Sequence, residues 1–365
     1  MDVFESVPNF SEGRRPDVIS AIGASVAPAL LLDSDSDPDH NRLVVSLAGA
    51  GPSVSDGLLA AITAAIDRID LATHSGVHPR VGAADVVPII PLGETSLETC
   101  RELAHSIGAR AWSELRVPAY FYGHGENKTL ADIRAGRARL DLGGPDLHPT
   151  AGAVCIGARR PLVAFNVILY GYDLVAARAL ARTIRETGAG LRGVQALAFP
   201  LSGDRVQLSM NLFRIDQTSP SDVVAELERR GVSLGVQQVV GLCPSVAAHS
   251  AADGRLLEGR LAGAAAETAA SRCDDRGGEE MTLLAARLRR EAGELAALRA
   301  DEDAILGGAE RSAALIEVLR AARVLDGELE ALLRAAAVGF RSAVSAATAS
   351  IYRARIDALD ARLAR

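Results

Sequence analysis

The chain of 365 residues has almost no lysine: Lys128 stands alone among 39 basic residues. Schiff-base chemistry is thereby nearly excluded, and anionic ligands have to be met by arginine, whose planar fork suits bidentate carboxylate contact. Positive charge is not in excess either. A formal net charge of -7 lacks the phosphate-neutralising surplus that nucleic-acid binding needs. The four cysteines, Cys100, Cys155, Cys243 and Cys273, lie far apart without CxxC spacing. They suggest neither a zinc ribbon nor a disulfide framework and fit a reducing compartment. No apolar run reaches the roughly 18 residues that span a bilayer. Met1–Glu12 has no basic segment leading into an apolar one, so a cytoplasmic protein with no membrane partner is expected.

What is present is apolar content, 48% of the residues, enough for an ordered protein of two or three compact units at this length. Up to about residue 170, strand-like and helix-like patterns alternate between Gly, Pro, Asp and Ser clusters. Ala29–Asp33 reads as a strand entering a polar loop, Asp33–Asn41, and Leu43–Leu47 as the next strand. Ser55–Ile69 and Ser96–Ile107 carry helical spacing, Val86–Ile90 and Pro118–Tyr122 read as buried strands, and Val163–Leu169 closes the unit. The pattern restarts at Leu174, with a helix to Thr187, strands at Gln195–Phe199 and Val206–Leu212, a helix at Ser221–Arg230 and a strand at Gln238–Leu242. Mixed hairpin and crossover spacing predicts an α/β (α+β) chain with two tandem ferredoxin-like subdomains, 1–170 and 171–273. A linker near Cys273–Glu280 leads to a helical module at 279–365. There Met281, Leu284, Leu288, Leu295, Leu298 and Ile305 form one stripe, and Gly307 and Gly308 are expected to end that helix.

The most unusual stretch is His74-Ser-Gly-Val-His78-Pro79-Arg80-Val-Gly82. Pro79 keeps His78 out of the helical region, and the flanking glycines allow close backbone approach, so an imidazole stands in a loop beside a guanidinium. A histidine there can act as acid or base at neutral pH, although a solvated loop histidine is the commoner case. His74 and His78 have a zinc-ligand spacing, but Gly76 and Pro79 break the helix it requires, so no metal is expected. Asp33, Asp35, Asp37 and Asp39 alternate before His40, Asn41 and Arg42. They lack the glycine and glutamate of a calcium loop, and a polar turn with solvated acids accounts for most of them.

Val7-Pro-Asn-Phe-Ser-Glu-Gly13, the loop from Asp35 through Asn41 and Arg42, and the block from His74 through His78, Pro79, Arg80, Asp85 and Pro91 resemble the successive motifs of glutamate formimidoyltransferases. Further matches follow in chain order, among them Ile133–Gly136, Gly157–Arg159 and Ala164–Asn166, and weaker ones continue to about residue 250. The resemblance implies transfer of a formimino group from N-formimino-L-glutamate to tetrahydrofolate, a step of histidine degradation and one-carbon metabolism. Tetrahydrofolate would be a co-substrate, no metal would take part, and a homodimer is the expected assembly. By the same resemblance His78 and Asp35 are catalytic and the folate loop contributes Gly143, Gly144, Pro149, Thr150 and Gly152, while Arg42 or Arg80, with Asn41 beside them, would bind substrate, the guanidinium taking a carboxylate in bidentate fashion. Ala151 stands where the family usually has tryptophan, so a tryptophan placed there is expected to restore a stacking surface for the pterin. Formyl transfer from N-formylglutamate, or folate binding without turnover, remain alternatives. The helical module reads as a shortened cyclodeaminase-like segment or an oligomerisation bundle.

Overall fold

The computed structural model describes residues 1–77, 79–203 and 205–365. Two compact units divide the chain, Asp2–Arg160 and one spanning Pro161–Arg365.

The first unit runs β1 (Val3–Ser6), β2 (Asn9–Phe10), α1 (Pro16–Ala24), β3 (Leu30–Asp37), β4 (Arg42–Ala50), α2 (Gly51–Ile66), β5 (Ala84–Leu92), α3 (Leu97–Leu115), β6 (Ala119–Gly123), α4 (Leu130–Arg134) and β7 (Val154–Ala158). β1 and β2 together fill one position between β4 and β5, both antiparallel to them, and β3 lies outside β4. This β-α-β-β-α-β arrangement is the ferredoxin-like plait. It is extended beyond β5 by β7 and then β6, both parallel additions of the kind that needs a crossover helix, here α3. Alternation along the strands gives the sheet two different faces. Phe10, Leu43, Leu47 and Ile89 point to a core shared with Ile22, Leu58, Ile62 and Ile107 of the three long helices. Asn9, Arg42, Val44 and Val86 belong to the opposite face, where Val86 packs with Ile133 of α4.

β3 differs from expectation. The segment anticipated as a loop from Asp33 continues as strand to Asp37, pairing Asp33, Asp35 and Asp37 with Ser46, Val44 and Arg42 of β4. An edge strand tolerates such polar alternation, and pairing overrides the weak β-propensity of aspartate. Only the turn at 38–41 is left to reverse the chain, closed by the His40 amide donating to Asp37 Oδ1 at 2.8 Å and by Asn41 at φ 48°.

The second unit contains β8 (Val163–Tyr170), α5 (Leu174–Ile184), β9 (Val194–Leu201), β10 (Arg205–Leu212), α6 (Pro220–Arg229) and β11 (Ser233–Val240). Sheet order β11-β8-β10-β9, all antiparallel, repeats the plait. Val163–Leu169 therefore lies inside the second sheet rather than closing the first. The helices are α7 (Leu257–Arg276), α8 (Glu279–Ala296), α9 (Glu302–Ala321), α10 (Gly327–Ala343), α11 (Ala346–Ile351) and α12 (Arg353–Leu363). Of these, α9, α10 and α12 share one core with the second sheet: Ile305, Leu306, Phe340 and Leu359 join Phe165, Leu208 and Val239. Gly307 and Gly308 do not end a helix. The break comes at 297–301, where the Asp301 carboxylate caps α9, accepting from the Ala304 amide at 3.0 Å. Gly308 lies inside α9, where close packing leaves no room for a side chain: a Cβ there would come 2.8 Å from the Phe340 ring. Among the described residues no helix is long and apolar enough to cross a membrane.

Candidate active site

Four backbone segments of the first unit are tied together at one end of its sheet. The loop between α2 and β5 is stitched to the strand-like turn before β7: the Leu71 amide donates to Thr150 O at 2.8 Å, Ala83 to Ala151 O at 2.9 Å, and Ala153 to Val81 O at 3.2 Å. His148 and Gly152 exchange two backbone bonds of 2.9 Å, and His148 Nδ1 accepts from the Ala151 amide at 3.0 Å. The segment after β2 holds the same loop from another side, since Ser11 Oγ donates to Gly82 O at 2.8 Å. Asn41 completes the set. Its Nδ2 donates to Ser75 O at 2.9 Å while its Oδ1 accepts from the Gly13 amide at 2.8 Å, so the 38–41 turn becomes a clamp on the loop. Gly76 is required at this contact, because a Cβ would come 2.5 Å from His40 O and 2.6 Å from Arg80 Nη2.

Below the loop lies a buried charge network on the face of the sheet that carries α4. Asp85, whose side chain is 0% exposed, opens the otherwise apolar β5 and is met through Oδ2 by Arg42 Nη1 and Arg134 Nη2, each at 3.1 Å. Its Oδ1 accepts from the Val81 amide at 2.6 Å and the Gly82 amide at 3.4 Å. Arg42 also donates through Nε to Asn9 Oδ1 at 2.8 Å. Burial pushes the Asp85 carboxyl up, but the two guanidinium groups and the Val81 amide outweigh it and hold the pKa below the ordinary value. Beside them Arg80 contacts both ring nitrogens of His74, with Nε2 at 2.7 Å. Burial, and then the Arg80 charge, push His74 below the usual histidine pKa, which favours the neutral ring.

His78 lies outside the described residues. Asp35 sits half-buried on β3 opposite Val44, in a strand rather than the loop expected. Asn41, Arg80, Thr150 and Gly152 come together around the stitched loop, with Pro149 exposed beside Thr150. Gly143 and Gly144 pack elsewhere on the unit, Gly143 against the Trp112 ring and Gly144 against Leu140. Arg42, expected as a substrate contact, spends donors on Asp85 and Asn9. Ala151 is 2% exposed and belongs to the hydrophobic core, so it does not line an open ring-binding wall. Asp85, Arg134 and Asn9 had no assigned role on the sequence. The available signal was an aspartate heading a strand of buried apolar residues, a place where a carboxylate must be paired.

Known proteins resemble about two thirds of this chain. Residues 3–159 match the family described as Formiminotransferase domain, N-terminal subdomain. Glutamate formimidoyltransferase of Thermoplasma acidophilum is 37% identical over 272 residues, covering 68% of this chain and 90% of that protein. Its namesake from Streptococcus pyogenes is 33% identical over 269 residues, covering 67% and 90%. Formimidoyltransferase-cyclodeaminase of Mus musculus is 36% identical over 278 residues, 68% of this chain but 51% of that longer protein. Identity at this level, spread over nine-tenths of two relatives, establishes that the chain belongs to the formiminotransferase family.

Proposed function

We propose that the protein transfers a formimino group from N-formimino-L-glutamate to tetrahydrofolate, giving 5-formiminotetrahydrofolate and glutamate. The observation that carries this is its coverage of 90% of two proteins named glutamate formimidoyltransferase. The stitching of the His78-bearing loop to the 148–152 turn supports it, since two substrates have to meet in one place.

In the reaction the folate N5 attacks the amidine carbon, a tetrahedral intermediate forms, and the C–N bond to glutamate breaks. N5 loses a proton and the departing nitrogen gains one, so a single imidazole can serve both transfers. We assign that role to His78. Asp35 orients the imidazole or the amidinium, Arg80 and Asn41 line the substrate side, and Thr150 and Gly152 present the folate side. Gly143, Gly144 and Pro149 complete the folate loop in this assignment.

The test is to incubate purified protein with tetrahydrofolate and N-formimino-L-glutamate and to follow 5-formiminotetrahydrofolate by absorbance. His78→Ala is expected to lower turnover by about two to four orders of magnitude while leaving the melting temperature unchanged. Consumption of N-formylglutamate instead, or tight folate binding with no product from either donor, would overturn the assignment.

A further inference from the structure

His148 stands where the 148–152 turn is joined to the loop that carries His78, and its ring is held by the backbone of that turn. Nδ1 accepts from the Ala151 amide at 3.0 Å and from the Thr150 amide at 3.4 Å, with the Thr150 hydroxyl 3.5 Å away. The main chain of His148 is paired with Gly152, which in turn bridges to Gly82. A nitrogen that receives amide protons carries none of its own, so the ring proton sits on Nε2. This second nitrogen has no hydrogen-bond partner among the described residues, and unlike Arg134 Nε or the Tyr122 hydroxyl it is not sealed from solvent. The residue as a whole is half-buried. The turn therefore presents an N–H donor of fixed direction at the place assigned to folate.

We propose that His148 contacts the folate co-substrate, donating from Nε2 to a carbonyl or carboxylate oxygen of tetrahydrofolate. This rests on the transfer reading above and names a side chain that holds the acceptor of the formimino group. Tetrahydrofolate carries such oxygens on its pterin, benzoyl and glutamate parts. A ring already fixed by the backbone loses little freedom when it binds. The Gly82–Gly152 bridge ties His148 to the loop of His78, so a folate oxygen held at Nε2 also sets where N5 stands relative to that loop. Capping alone is the rival role, and the chain has an example: His249 Nδ1 accepts from the Ala251 amide at 3.1 Å.

The experiment uses the full chain and two variants that separate capping from contact. His148→Asn keeps an acceptor for the turn amides, as asparagine does in such turns, but lacks the nitrogen that reaches outward. His148→Gln keeps an outward N–H donor and loses the acceptor at the turn. Calorimetry with tetrahydrofolate alone, without oxygen, should show His148→Asn binding about 3- to 10-fold more weakly, the loss of one hydrogen bond, with its melting temperature unchanged and KM for formiminoglutamate within about twofold. His148→Gln should melt lower and bind closer to wild type. Saturating tetrahydrofolate should also protect His148 of the wild type from carbethoxylation by diethyl pyrocarbonate, read by peptide mass, a measurement that needs no variant to fold. A folded His148→Asn with unchanged tetrahydrofolate affinity, or His148 labelled as fast with the folate as without it, would reduce the ring to a cap and sink the proposal. Binding of tetrahydrofolate that depends on His148 in a protein that transfers no formimino group would keep the contact and remove the transfer reading. Transfer that proceeds with no dependence on His148 would do the reverse.

Discussion

Gly82 and Gly152 face each other across an isolated antiparallel bridge where neither has room for a side chain. A Cβ on Gly82 would come 2.1 Å from Ala153 O, and one on Gly152 would come 2.2 Å from Val81 O. Gly152 is also left-handed at φ +69°. This contact joins the loop that carries His78 to the turn assigned to folate, so backbone sterics hold the two substrate sides together.

Gly152→Ala is therefore expected to destabilise the first unit by about 1–3 kcal/mol, seen as a melting temperature lower by roughly 2–12 °C, and to reduce turnover as the two loops part. Gly136→Ala is the control. It shares the positive φ, +68°, but an added Cβ meets nothing within 4 Å, so its effect should stay near about 1 kcal/mol with activity kept. Equal losses in the two variants would show that strain, not close approach, sets the behaviour of Gly152.

Asp85 makes stability depend on acid. Burial works against its carboxylate, yet Arg42, Arg134 and the Val81 amide leave the folded pKa below the ordinary 3.8. A depressed folded pKa contributes stability that is fully present above the unfolded value and is lost as pH falls through the folded one. Asp85→Asn leaves two buried guanidinium groups without their carboxylate, at a cost of about 3–5 kcal/mol near pH 7. Denaturant titrations of both proteins should show that gap narrowing only below about pH 4, where the wild-type group also becomes neutral. A gap constant down to pH 2 would contradict the ionised triad.

Both plaits were legible because their strands carry period-two or continuous apolar patterns such as Val86–Ile90 and Val206–Leu212. What escaped notice did so for physical reasons. α7 buries Ala262, Ala265, Ala266, Ala269 and Ala270, a face of small residues that gives no strong apolar stripe although it packs closely. The boundary after residue 170 was misplaced because β8 is an apolar strand that local pattern cannot assign to either sheet. Only hydrogen bonding with β10 and β11 does so. At the site, residue types signalled the loop and the clamp. Asp85 with Arg134 was hidden, since 49 positions separate residues that share one ion pair.

The linker expected near Cys273–Glu280 implies that a chain cut after residue 276 keeps its second α/β unit folded. The shared core argues otherwise. Ile305, Leu306, Phe340 and Leu359 are buried with the apolar face of the second sheet, and removing them strips apolar cover worth roughly 1.5–3 kcal/mol for each large side chain. A 1–276 fragment should show non-cooperative melting or aggregation of the second unit. Limited proteolysis is expected to reduce it towards residues 1–160. A fragment that melts cooperatively with residues 161–276 protected would show that the second sheet stands without the helices.

Replacing Ala151 with tryptophan distinguishes an open ring-binding wall from a packed interior. The resemblance to the family suggests that an indole there would give the pterin a stacking surface. In the structure, however, Ala151 is 2% exposed within the core, its carbonyl accepts from the Ala83 amide at 2.9 Å, and its own amide donates to His148 Nδ1. Both backbone groups are committed, so the residue cannot rotate outward without losing the stitching that holds the loop. An indole would have to enter a filled core, where overpacking costs about 1–3 kcal/mol and at times more. Ala151→Trp is thus expected to melt several degrees lower and to bind tetrahydrofolate no more tightly than the wild type. Calorimetry on the variant, beside its melting curve, checks this. A variant of unchanged stability with affinity raised about fivefold would mean that the turn opens enough to present the ring, and that Ala151 lines the folate site after all.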